Sequence, residues 1–144
     1  MKRTTLYVAS SLAVLLSVAA IGIGAAVDTP RTLMSRADYN EARTAIELHS
    51  RVALARCREA DGSARDLCKA EARAEEKLKK ADLQARYHGT VAAAADAKQA
   101  RAKALYEVAK ARCGLETDSR ASCLRTARDS QARALVDSKL AAAT

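Results

Sequence analysis

Tryptophan and phenylalanine are absent from the sequence, proline occurs once and tyrosine four times. With so few aromatic rings, the chain has no stacking platform of the kind that holds single-stranded nucleic acid. The cysteines show further absences. No two stand at C-x-x-C spacing, which removes both the usual thiol-exchange motif and the close chelating pair of a zinc site, and no C-x-x-C-H is present for haem. Histidine occurs only as His49 and His88, neither beside a cysteine, and both read as solvated or packed boundary residues. Glu75, Glu76, Asp96 and Glu107 fall in stretches that read as helix, where carboxylates serve as solvated partners of Lys and Arg. The serines and threonines lack the glycine-elbow context of a nucleophile. The expectation is a protein that is not an enzyme, with no cofactor and no metal site.

What the sequence does contain begins with an export signature. Met1-Lys2-Arg3 carries two positive side chains, and residues 4–27 carry no charge, running through Leu6, Val8, Leu12, Val14, Leu15, Leu16 and Val18 to Gly24-Ala25-Ala26. A basic start, an apolar run and a small-residue site together predict a signal peptide over residues 1–26, with the mature chain beginning near Val27. The alternative is an uncleaved membrane anchor, since 24 uncharged residues can cross a ~30 Å hydrocarbon core. Both readings place the remainder outside the cytoplasm, periplasmic or secreted. In such a compartment four cysteines, Cys57, Cys68, Cys113 and Cys123, are expected to pair as disulfides.

Beyond residue 26 the chain holds 23 basic and 17 acidic residues, a net +6, and only 17 Leu, Ile and Val among 118 residues. So low an aliphatic fraction ordinarily signals disorder. Here alanine, the best helix former, fills the deficit together with Arg, Lys, Glu and Gln. The expected product is all-α, with stable helices around a thin core.

Ser35 and Asp38 form a capping-box pattern with Met34 and Tyr39 at the staple positions, which predicts a helix start. Tyr39, Ala42, Ile46, Ala53 and Cys57 recur at helical spacing, Glu47 and Arg51 suit an i,i+4 pair, and the helix is expected to run to about Ala60. Asp61-Gly62-Ser63 breaks it, with Gly62 suited to the left-handed conformation and Ser63 with Asp66 offering a new cap. The next helix places Leu67, Ala70, Ala74, Leu78, Ala81 and Ala85 on one face, with the pairs Glu75–Lys79, Glu76–Lys80 and Asp82–Arg86 elsewhere. His88-Gly89-Thr90 is a weaker mark, and a continuous helix through it is also compatible with the pattern. Val91, Ala95, Lys98, Ala102, Leu105, Ala109 and Arg112 then share a face, Cys113-Gly114 opens a second loop, and Thr117-Asp118-Ser119 restarts a helix carrying Leu124, Ala127, Gln131 and Leu135.

Aligning Cys57 on Cys113 superposes Ala55-Arg56 on Ala111-Arg112 and Val52-Ala53 on Val108-Ala109, and past the second cysteine Ala72-Arg73 falls on Ala127-Arg128. A period of 55 to 56 residues makes one hairpin the repeating unit, about 36–88 and 90–142. Were residues 57–68 one unbroken helix, the two sulfurs would lie about 16 Å apart along its axis. A disulfide needs Cα atoms within ~7 Å. Local bonds, Cys57–Cys68 and Cys113–Cys123, therefore require turns, which Gly62-Ser63 and Gly114 to Asp118 permit. The other connectivity is crossed, Cys57–Cys123 with Cys68–Cys113, between continuous antiparallel helices. The basic residues near the two pairs, Arg51, Arg56, Arg58, Arg65, Lys69 and Arg73, then Arg112, Arg120, Arg125 and Arg128, read as a solvated face with weak attraction for anionic surfaces.

The arrangement A-R-C, nine or ten residues with a Gly, then Cys68-Lys69-Ala70-Glu71-Ala72-Arg73-Ala74, resembles uncharacterised exported proteins of proteobacteria. These are Ala/Lys-rich and helical, with paired cysteines, and sometimes receive TolA-like names. The resemblance covers most of residues 39–135 and implies a periplasmic helical protein; the second copy departs from it at Leu124-Arg125-Thr126. The resulting expectation is two disulfide-clasped hairpins forming a loose four-helix bundle or an elongated three-helix arrangement. Its role is read as a non-enzymatic structural or interaction protein of the cell envelope, with an envelope protein or anionic envelope surface as partner and oligomer formation open. The membrane enters only through an uncleaved N-terminal segment. A periplasmic holdase-type chaperone is the alternative, and a basic nucleic-acid-binding protein the third reading, which export argues against.

Overall fold

The computed structural model describes residues 34–143. The expected signal or anchor segment, residues 1–26, lies outside the described residues. Within them the chain forms four α-helices and two single 3-10 turns: α1 (Arg36–Arg56), α2 (Gly62–His88), α3 (Val91–Arg112) and α4 (Arg120–Ala143), with the 3-10 turns at Cys57–Glu59 and Cys113–Leu115. No strand occurs among the described residues, and no described helix is long and apolar enough to cross a membrane.

Ser35 starts α1 as expected: its hydroxyl accepts from the Asp38 amide at 3.1 Å and donates to the Asp38 carboxylate at 2.7 Å. Helix α1 ends at Arg56, where the chain tightens into the Cys57–Glu59 turn and Ala60 becomes extended. Gly62 has the positive φ anticipated for it, +53°, but it occupies the first position of α2. The expected Ser63–Asp66 cap does not form, because Ser63 already lies inside the first turn. Instead the Arg65 side chain donates to the Ala60 carbonyl at 2.6 Å and to the Asp61 carboxylate at 2.7 Å, tying the loop to the new helix.

The mark at His88-Gly89-Thr90 proves as decisive as the first. Gly89 sits in the left-handed region at φ +65° and its N–H donates to Ala85 O at 2.9 Å, while the Thr90 hydroxyl caps α3 by accepting from the Ala93 amide at 3.1 Å. A glycine C-cap followed at once by a threonine N-cap stops one helix and starts the next within two residues. The continuous-helix alternative is thereby excluded.

Successive helices pack antiparallel, α1 on α2, α2 on α3 and α3 on α4, and among the described residues no other pair of helices meets. The four-helix arrangement is thus an opened one: α1 and α4 do not close against each other. Its core is correspondingly thin. Among the described residues the buried apolar positions are Ala72, Ala74, Ala95, Ala97, Ala102, Ala104 and Ala127, with Cys57, Cys113 and a single large aliphatic, Leu83. Alanine contributes little transfer free energy, but it loses no side-chain entropy and lets helix backbones approach closely. In α3 the buried alanines form two rows seven residues apart, Ala97 and Ala104 on the flank towards α2, Ala95 and Ala102 on the flank towards α4. With both flanks covered, α3 is the spine of the molecule.

Candidate functional site: two grooves beside the disulfide clasps

Both disulfides are local, Cys57–Cys68 with Cα atoms 5.6 Å apart and Cys113–Cys123 at 5.7 Å. The crossed connectivity is excluded, and no cysteine is free. In each case the 3-10 turn swings the chain back so that the first cysteine, fully buried, meets the first turns of the following helix. Among the described residues, no three His, Cys, Asp or Glu side chains gather as a metal-holding group. The carboxylates named from the sequence are spread out: Glu107 pairs with Lys110 at 2.7 Å, Asp96 lines a shallow hollow beside His88, and Glu75 and Glu76 face α1.

A groove runs beside each clasp. The first, of about 340 Å³ between α1 and α2, is lined by His49, Val52, Ala53, Arg56, Glu71, Ala72 and Glu75 together with Cys57 and Cys68. It is bridged by polar side chains. His49 Nε2 lies 3.2 Å from Glu75, which also holds Lys79 at 2.6 Å. One turn away the buried Ser50 hydroxyl donates to Glu76 at 2.6 Å, and Lys80 joins Glu76 at 2.7 Å to Glu47 of α1 at 3.1 Å. The Lys80 and Arg43 hydrogen bonds hold the Glu47 carboxyl below its ordinary range, Lys79 does the same for Glu75, and Lys80 with Ser50 for Glu76, while the two glutamates raise Lys80. The far end of this hairpin is closed by Tyr39 against Tyr87, ring centroids 4.5 Å apart.

The second groove, about 530 Å³ between α3 and α4, is apolar where the first is charged. Its positions answer those of the first at offsets of 56 residues before the clasp and 55 after it: Leu105 stands for His49, Ala109 for Ala53, Arg112 for Arg56, Ala127 for Ala72, Thr126 for Glu71 and Ser130 for Glu75. Leu105, Ala109, Ala127 and Ala134 give it an apolar floor, with Arg112 and Glu116 at the clasp end. Among the described residues no side-chain hydrogen bond or ion pair joins α3 to α4. Arg112 turns to α2, where it meets Glu71 at 3.4 Å. A concavity of this size and lining is within the range that takes apolar ligands or side chains, and the Cys113–Cys123 disulfide ties α4 down at its clasp end.

Several residues escaped the sequence reading. Ser50 is one; its burial is set by Glu76 opposite, which no local spacing reveals. The expected Asp82–Arg86 pair is replaced by Asp82–Arg101 at 3.1 Å across α2 and α3, and Glu47 pairs with Arg43 and Lys80 rather than Arg51. The contrast between the grooves did have a signal, since the 56-residue alignment places Leu105 on His49 and the 55-residue alignment places Ser130 on Glu75. Compared with family models, curated proteins and solved structures, the chain matches none.

Proposed function

We propose that the protein is a non-enzymatic structural or interaction module of the cell envelope, exported by its N-terminal segment and built from two copies of one clasped hairpin, about 36–88 and 90–142. The observation that carries this reading is the opened arrangement of the helices, in which α1 and α4 each pack on one neighbour only and keep their outer faces accessible. Local disulfides in each hairpin support an oxidising compartment. They do the mechanical work that a larger apolar core does elsewhere, and a protein whose surface exceeds its core in this way is suited to contact rather than to chemistry. The net positive charge beyond residue 26 favours an acidic envelope protein or an anionic envelope surface as partner. Fractionation of the native host tests the assignment: the chain is expected in a periplasmic extract, starting near Val27, with Cys57–Cys68 and Cys113–Cys123 peptides recovered under non-reducing conditions. An intact chain in the cytoplasm with free thiols overturns it.

The apolar groove between α3 and α4 favours one second reading, a holdase that shelters unfolded segments. In a light-scattering assay, failure of the purified protein to suppress aggregation of an unfolded client at equimolar ratio removes that reading.

A further inference from the structure

We infer that this protein associates head to tail with further copies of itself, the outer face of α4 on one molecule receiving the outer face of α1 on the next. The inference rests on the two-copy organisation proposed above. Two hollows along the α2–α3 seam are lined by Ala93, Ala97, Ala100, Ala104 and Glu107 of α3 and by Ala70, Arg73, Ala74, Lys77, Ala81 and Gln84 of α2. Carried back 56 positions, the α3 face becomes Ala37, Glu41, Thr44, Leu48 and Arg51 on α1. Carried forward 55, the α2 face becomes Arg125, Arg128, Asp129, Ala132, Val136 and Lys139 on α4. Each set forms a stripe at helical spacing, and every residue in both is exposed. The molecule therefore makes this contact once internally and leaves its two halves bare at the two ends.

The two faces are complementary at three points in the register of the internal contact. That register pairs Asp82 with Arg101 and Glu71 with Arg112, residue numbers whose sum is constant along the antiparallel helices. Shifted by the same offsets, it sets Leu48 between Ala132 and Val136, Glu41 beside Lys139, and Arg51 beside Asp129. The two internal ion pairs do not recur, falling on Ala45 with Asp137 and on Arg56 with Thr126, and Arg125 and Arg128 meet no carboxylate of α1; both exposed side chains are free to turn to solvent. Leu48 and Val136 are 62% and 56% exposed in the single chain, and the contact covers both. Because the two faces differ, the association is heterologous and adds copies in one direction instead of stopping at a symmetric dimer.

Sedimentation velocity on the natively purified, oxidised protein tests this. The weight-average mass is expected to rise with concentration, whereas a mass fixed at one chain up to the millimolar range overturns the inference. Leu48→Arg and Val136→Arg, both at exposed sites, are each expected to remain monomeric. Mixed one to one, they retain one intact face apiece and should form a dimer and nothing larger. A mixture that stays monomeric, or single variants that associate like the parent chain, refutes the head-to-tail contact. E41K and K139E provide an independent pair: each alone weakens association and their mixture restores it, while no change in either variant counts against the register. These outcomes do not depend on export. A processed, periplasmic protein that stays monomeric loses only this contact, and a self-associating protein found in the cytoplasm loses only the envelope assignment.

Discussion

Replacing both cysteines of one clasp by alanine should expose how unequally the two hairpins are held. Closing a loop of 11 or 12 residues stabilises by about 3 kcal/mol in the chain-entropy model, nearly the same for both disulfides. The first cysteine of each pair is almost fully buried, Cys57 at 1% and Cys113 at 0% exposure, so the packing lost in each double variant is also similar. What differs is what remains. Without its clasp, α1 still has the Ser50–Glu76 hydrogen bond, the Lys80 bridge and the Tyr39–Tyr87 contact. A hydrogen bond to a charged group and an aromatic pair together contribute on the order of 2 kcal/mol. Helix α4 keeps its packing on α3, with half-buried Leu124 and Leu135, but no side-chain hydrogen bond or ion pair to α3 among the described residues. Residue-resolved amide exchange is the assay, comparing C57A/C68A with C113A/C123A. Losing ~3 kcal/mol corresponds to about 100-fold in the opening equilibrium of either terminal helix. After that loss, α4 is expected to be less protected than α1 by a further tenfold or more. If α4 in C113A/C123A stays as protected as α3, or α1 in C57A/C68A proves the weaker of the two, the reasoning is wrong.

Four further outcomes rest on the same geometry. Ser50→Ala removes the buried donor to Glu76 and should cost about 1 kcal/mol in denaturant unfolding, with exchange of α1 affected more than that of α4. Gly62→Ala should destabilise by about 1 to 2 kcal/mol, because φ is +53° with open space around the new methyl and the whole cost is backbone strain. Gly114→Ala, with equally open space and no positive φ, should be neutral or stabilise by up to about 1 kcal/mol. Acid should act on the first hairpin selectively. Glu47, Glu75 and Glu76 are held below the ordinary 4.5, so their stabilisation is fully present above that value and lost as the pH falls through their lowered folded values. Protection of α1 should decline on acidification while that of α4 does not, and equal decline in both would contradict the assignment of these pairs.

The elements legible in the sequence were those fixed by local chemistry. The Ser35 cap, the left-handed Gly62 and the turns that make local disulfides possible all depend on a few adjacent residues. The break at Gly89 looks weak from the sequence because a lone glycine is tolerable within a helix; Thr90 immediately after it, which caps α3, is the decisive neighbour. Cross-helix partners were not legible for a different reason. When a helix is alanine on nearly every side, no large residue marks which flank is buried, and its rotation is settled only by contact with both neighbours. Asp82 could not be assigned to Arg101 before α3 had a fixed rotation. Similarly, the apolar stripe foreseen on α2 covers only its side towards α3, and the side towards α1 is completed by Ala72 and by polar groups that satisfy each other across the gap.

Packing only between chain neighbours has a kinetic consequence. Every helix finds its partner within a few tens of residues, so the loop-closure cost that slows folds with distant contacts is small and folding should be fast. Disulfide formation inherits the same order. A chain emerging amino terminus first brings Cys68 to Cys57 before Cys113 has appeared, and the first bond can close with no rival thiol present. The second pair then meets in a chain whose other cysteines are already consumed. Such a protein can reach its correct connectivity during emergence, without the reshuffling that interleaved pairings require.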